Sequence, residues 1–286
     1  MDDTSDSRPE IWQLSSISSG YRELFLGTSK LAMVLCTNLH LSPGTTITAF
    51  YYIYKFWSKF DALETDRRFI ASAAVLLAWK VREDVEPSRS SRKLSELSRF
   101  LYRILKANTL AQNSNNASSL DISSSLWIYK DSGKEYSNYM EQIKTYEFAL
   151  LRAINFELTP IELPFNHIER LTRLLLYSPM AKEEGEDEDR EYQSLKMFRL
   201  LSMSICMDLY RLPNVCMQYN ALEISLCSVW FAGIFLSLPF AYEGVDKSSK
   251  MLWISKVAPN INQNNLSRCM NESGKILLWL VDSDSS

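Results

Sequence analysis

One stretch restricts this chain more than any other: Phe69-Ile-Ala-Ser-Ala-Ala-Val-Leu-Leu-Ala-Trp79. Only Ser72 is polar in it, and no Gly or Pro interrupts it. A helix that is apolar all round has no face to give to water, so it belongs in the middle of a bundle. It then runs straight into Lys80. A charge at the edge of an apolar core needs a counter-charge or an exit to water.

The rest of the chain can supply such a bundle. Its 286 residues suit one large domain or two ordinary ones. Apolar residues make up 46% and charged residues 23%, enough for a substantial core. Eight glycines and nine prolines are too few for the frequent turns of an all-β fold. Helical periodicity predicts helices over 22–41, 43–60, 65–84, 93–106 and 134–156. Thr159-Pro160 and Pro164 mark a joint, and five more helices follow, over 164–178, 191–211, 219–238, 248–257 and 262–281.

Five helices, a joint and five helices read as a duplication. Shifting the chain by 154 residues lays Ile70 on Ile224, Val75 on Val229 and Ala78 on Ala232. Both third helices are apolar all round. This reading also accounts for Ile224–Tyr242, 19 residues without a charge, a length close to that of a membrane span. Its three serines, Pro239 and acidic flanks Glu223 and Glu243 favour a second buried helix. Under the same shift Lys80 falls on Ile234, so the lysine serves one half only.

The expected organisation is an N-terminal extension over 1–21, a first bundle over 22–160 and a second over 161–283. Residues 107–133 are expected to be a disordered insertion, because 107–125 carries twelve Ser, Thr, Asn or Gln. Residues 182–190 are expected to be a solvated acidic loop, since 183–191 holds seven acids in nine residues. The acidic, polar N-terminus does not read as a signal peptide. Five cysteines without a CxxC read as reduced, mostly buried thiols of an intracellular protein.

Catalytic and metal-binding patterns are missing from the sequence. His40 and His167 have no partner at metal spacing, so no metal is expected. Gly133-Lys134 and Gly274-Lys275 lack the rest of a phosphate-binding loop, and no cofactor is expected. Arg82, Arg89, Arg92, Lys93, Arg99, Arg103 and Lys106 form a modest basic run, read as a solvated helix surface. With a net charge of −3, nucleic acid is expected to bind indirectly if at all. Lys80 either extends its stem to reach water or pairs with Glu147, which stands among apolar residues in "YEFALLRAINFEL" of the fifth helix.

The stretches "FIASAAVLLAWKVRED" and "YEFALLRAINFELTPIELPFNHI", in this order, resemble the cyclin family, with two cyclin boxes over about Arg22 to Val281. The resemblance implies an all-α fold of tandem cyclin boxes, two five-helix bundles each around a buried central third helix. It implies that Lys80 and Glu147 bind the C-helix of a cyclin-dependent kinase, and that Phe156 and Leu158 add apolar contacts to that helix. Arg82 stands where the family often has a glutamate, a departure expected to bear on kinase choice. The layout of "IWQLSSISSGYRELF" and "ITAFYYIYKFW" is similar to the transcriptional cyclins of the K, T and L kinds. It implies a nuclear, non-catalytic subunit of a kinase that acts on the C-terminal repeats of RNA polymerase II. The alternatives are a cyclin-fold transcription factor of the TFIIB kind and a helical scaffold without a kinase partner. The first would want a zinc ribbon and a basic body, which this sequence does not have.

Overall fold

The structure is a computed structural model that describes residues 19–84, 93–113, 134–158, 161–176, 188–238 and 252–284. The described residues form eleven helices and no strand. They fall into two compact units divided between Ile161 and Glu162.

The first unit holds α1 (Ser19–Asn38), α2 (Pro43–Trp57), α3 (Arg67–Arg82), α4 (Lys93–Asn113) and α5 (Lys134–Ala153). As its composition requires, α3 is the centre, with every residue from Phe69 to Trp79 buried. It packs against all four other helices. Ala71, Ala73, Ala74 and Ala78 are wholly buried, and small residues here let neighbouring backbones approach. Asp66 caps the helix, its carboxylate accepting from the Arg68 amide. Ser42 caps α2, with Pro43 in the first turn.

The second unit holds α6 (Phe165–Leu176), α7 (Glu188–Tyr210), α8 (Pro213–Gln218), α9 (Ala221–Phe235), α10 (Leu252–Val257) and α11 (Gln263–Asp284). Its centre is α9, which packs against α6, α7 and α11. The duplication is visible at the residue level. Shifted by 154, the cap Asp66 falls on the cap Asn220, and the first helical residue Arg67 falls on Ala221. Asn220 forms a reciprocal capping box with Glu223, which accounts for a carboxylate only 4% exposed. Ser225 and Ser228 donate to carbonyls within α9, and Ser225 also to Pro164 O at 3.0 Å. Among the described residues no helix is long and apolar enough to cross a membrane.

Several expectations need correction. Helix α4 runs on through Asn113, so 107–113 is helix rather than insertion; 114–133 lies outside the described residues. The polar residues of that stretch have modest helix propensity, and a helix already nucleated at Lys93 extends into them at low cost. Residues 188–190, read as the end of the acidic loop, open α7. Acids suit a helix N-terminus, where the dipole favours negative charge. The short α8 was not expected: the turn at Arg211–Leu212 ends α7, and Pro213 restarts the chain in a helix. The expected fifth helix stops at Ala153, three residues before Phe156.

Two residues of the basic run, Arg82 and Lys93, turn to the protein rather than to water. Arg82 is half-buried, its Nε donating to Thr48 Oγ1 at 2.9 Å and a terminal nitrogen to Ile161 O at 2.7 Å. Lys93 donates to Trp79 O at 3.1 Å and lies over the Trp79 ring. Lys106 pairs with Glu135 at 2.9 Å. Arg89 and Arg92 lie outside the described residues.

Candidate partner-binding site

The polar end of α3 is built around Trp79 and Asp84. The Trp79 indole donates to Asp84 O at 2.7 Å, which turns the chain back beneath the helix. The Asp84 carboxylate accepts from Ser42 N and from Thr45 Oγ1, tying the end of α3 to the start of α2. Partial burial raises the Asp84 pKa, but these hydrogen bonds outweigh it and hold the carboxyl below its usual range. Glu83 takes a left-handed conformation, with φ of 51°, and ends the helix.

With that end fixed, Lys80 projects from the last turn. Its Nζ lies 2.6 Å from Glu147 Oε1 on α5. The lysine side chain is 47% exposed and the glutamate 14%. With its lysine half-exposed to water, the pair contributes about 0–1 kcal/mol to folding. It leaves ammonium hydrogens and the second carboxylate oxygen free to face a partner. The pair therefore presents donor and acceptor together at the rim of the first unit.

Phe156 and Leu158 do not lie on α5. They follow its end in a tight turn, where Asn155 and Phe156 both have positive φ, 55° and 59°. The turn closes through Phe156 N donating to Leu151 O at 2.8 Å. Left-handed backbone costs a side-chain-bearing residue about 1–2 kcal/mol. This turn leaves Phe156 59% exposed, with Leu158 exposed as well. Lys59, just past α2, donates to Asn155 Oδ1 at 3.2 Å and braces the turn.

Of the four residues singled out in the sequence, the structure joins Lys80 to Glu147 directly. It sets Phe156 and Leu158 in the exposed segment after α5. One further exposed residue was missed: Phe148, 57% exposed beside Glu147, with the Arg152 guanidinium over its ring. A signal existed. The buried positions of α5 are Ile143, Leu150 and Ala153. Phe148 is five residues past Ile143, roughly 140° around the helix from that face. Phe60 and Leu63, after α2, are also exposed, and Phe60 stacks on the buried Phe56 with ring centroids 4.6 Å apart.

His167 meets Glu162 at 2.8 Å, an ordinary surface pairing. Among the described residues no group of three or more His, Cys, Asp or Glu could hold a metal ion. All five cysteines are buried, free thiols.

No protein-family model matches this chain, and no curated protein matches it. Among solved structures it is similar to a chain of the CAK complex from Chaetomium thermophilum bound to ATP-gamma-S. The identity is 13% and the TM-score 0.49, over 88% of this chain. The match spans 62% of that chain's length.

Proposed function

We propose that this chain is the regulatory subunit of a protein kinase: a cyclin that binds and activates a cyclin-dependent kinase. The observation that carries this reading is the Lys80–Glu147 pair, held at 2.6 Å on two packed helices and left open to a partner. Exposed apolar side chains at Phe148, Phe156 and Leu158 follow it along the same segment. An amphipathic helix of a partner uses both features at once, apolar residues against the phenylalanines and backbone ends or polar groups against the ion pair. The sequence resemblance supplies the identity of that helix, the C-helix of the kinase.

The subunit does no chemistry itself. It holds the kinase helix so that the glutamate on it meets the catalytic lysine, a geometry phosphoryl transfer requires. Its binding energy shifts the kinase toward the active conformation. The transcriptional character, action on the polymerase repeats and nuclear location rest on the resemblance to the K, T and L kinds.

The test is a tagged pull-down from the protein's own cells, wild type beside Lys80→Glu. The precipitate is assayed for phosphate transfer to a peptide of the RNA polymerase II heptad repeat. The substitution puts two carboxylates together and should lower kinase recovery and activity at least ~tenfold, in line with the loss of one charged hot-spot contact. Helical content by circular dichroism should be unchanged. Equal kinase activity in both samples would remove the pair's role and with it this function.

A further inference from the structure

We propose that Cys227 and Cys269 form a reversible oxidative modification site, which hydrogen peroxide converts to a disulfide joining the central helix α9 to the last helix α11. Nothing in the kinase reading uses these residues, and the proposal stands or falls independently of it.

The geometry singles out one pair among five thiols. Cys227 lies in the middle of α9 and Cys269 on α11, and both are wholly buried. Their sulfurs are 3.2 Å apart, with the Cys227 thiol donating to Cys269 Sγ. A disulfide needs about 2.0 Å, so the two sulfurs have to approach by roughly 1 Å to form it. The other cysteines are occupied differently. Cys206 is hydrogen-bonded to Ser228 and Cys36 to Thr46, so each faces a hydroxyl rather than a second thiol, and burial pushes both thiols up to about 12.

The two partners are not equivalent. Burial, with the hydrogen bond to Cys269, pushes the Cys227 thiol well above its ordinary range. The Cys269 sulfur receives that hydrogen bond and has the Ser273 hydroxyl 3.9 Å away. The attack is assigned to Cys269, the sulfur on which the Cys227 thiol hydrogen rests, and the resolving role to Cys227. In the first step the Cys269 sulfur attacks one peroxide oxygen. The O–O bond breaks, and the departing hydroxide takes the thiol proton and leaves as water. Cys269 is then a sulfenic acid. In the second step the Cys227 sulfur attacks the Cys269 sulfur, the S–O bond breaks, and hydroxide leaves with the Cys227 proton as a second water. In total two thiols lose two protons and two electrons, and one peroxide becomes two waters.

Burial of both sulfurs decides which oxidant works. A neutral, water-sized peroxide needs only a small local opening, whereas a peptide disulfide such as oxidised glutathione needs a large one. The link would close a loop over a separation of 42 residues and restrain the unfolded chain, which stabilises the second unit.

The test uses the full chain carrying Cys216→Ser, because Cys216 shares a tryptic peptide with Cys227. The folded protein is treated with hydrogen peroxide or with oxidised glutathione, and its peptides are mapped without reduction. Peroxide should join the peptide that holds Cys227 to the one that holds Cys269, at least ~tenfold faster than oxidised glutathione does. Dithiothreitol should reverse the link, and the linked protein should melt several degrees higher. Adding Cys227→Ser should leave a Cys269 sulfenic acid that dimedone traps when it is present as the peroxide-treated chain is unfolded. Adding Cys269→Ser should abolish both link and adduct. Oxidation of Cys36 or Cys206 before this pair, or a link that forms only in denaturant, would overturn the proposal. So would dimedone labelling of Cys227 in the Cys269→Ser chain.

Discussion

Lys80 and Arg82 stand two residues apart at the end of one helix, yet they do opposite things. Lys80 meets Glu147 at an open rim, while Arg82 turns inward to Thr48 and Ile161 O. The first pairing was legible because a charge after eleven core residues must go somewhere, and Glu147 was the acid placed among apolar residues on a helix that would pack there. The second was not, because a guanidinium that clamps a backbone carbonyl leaves no trace in the sequence. In the structure Arg82 makes structural contacts, to Thr48 and to the Ile161 carbonyl. Phe156 gives a prediction at this scale. Releasing its left-handed strain recovers about 1–2 kcal/mol, against about 0.5–1 kcal/mol for glycine's extra backbone freedom. Phe156→Gly should leave stability within about 1 kcal/mol of wild type by denaturant melts, while kinase recovery in the pull-down falls.

At the scale of elements, the scarcity of glycine shapes how helices end. Helices commonly close on a glycine in the left-handed region. Here α1, α3, α5 and α9 are followed instead by His40, Glu83, Asn155 with Phe156, and Ser237, all at positive φ. Expected helix ends overran for this reason, since the sequence carried no glycine to mark them. Starts were easier, because Ser42, Asp66 and Asn220 are all good caps. The end of α3 is held by the Asp84 carboxylate, whose pKa is lower folded than unfolded. Its contribution is complete above about pH 4, the unfolded value, and is lost as pH falls through the folded value. Asp84→Asn should cost about 1 kcal/mol at neutral pH. The difference from wild type should shrink in thermal melts taken below about pH 4, and a constant difference would deny the carboxylate this role.

At the scale of the molecule, Lys80, Glu147, Phe148, Phe156 and Leu158 all belong to the first unit. That unit buries α3 within its own helices. Residues 1–161 expressed alone should therefore be helical by circular dichroism and should still recover the kinase in the pull-down. Loss of recovery by a folded fragment would mean that the second unit contributes contacts. The duplication was legible at this scale because each half needs an apolar helix at its centre, and the caps at Asp66 and Asn220 fall on the same register.

The sequence by itself determined that the chain is helical, that it repeats, and which helix lies at the centre of each half. Hydrophobic periodicity and the lack of glycine and proline are local properties, and they suffice for those conclusions. Tertiary structure alone decided the rest. It decided that Arg82 turns inward to Thr48, that Phe156 leaves its helix for an exposed turn, and that two thiols 42 residues apart touch. Each of these depends on which faces of packed helices meet, and that is set by the whole core at once rather than by any one segment.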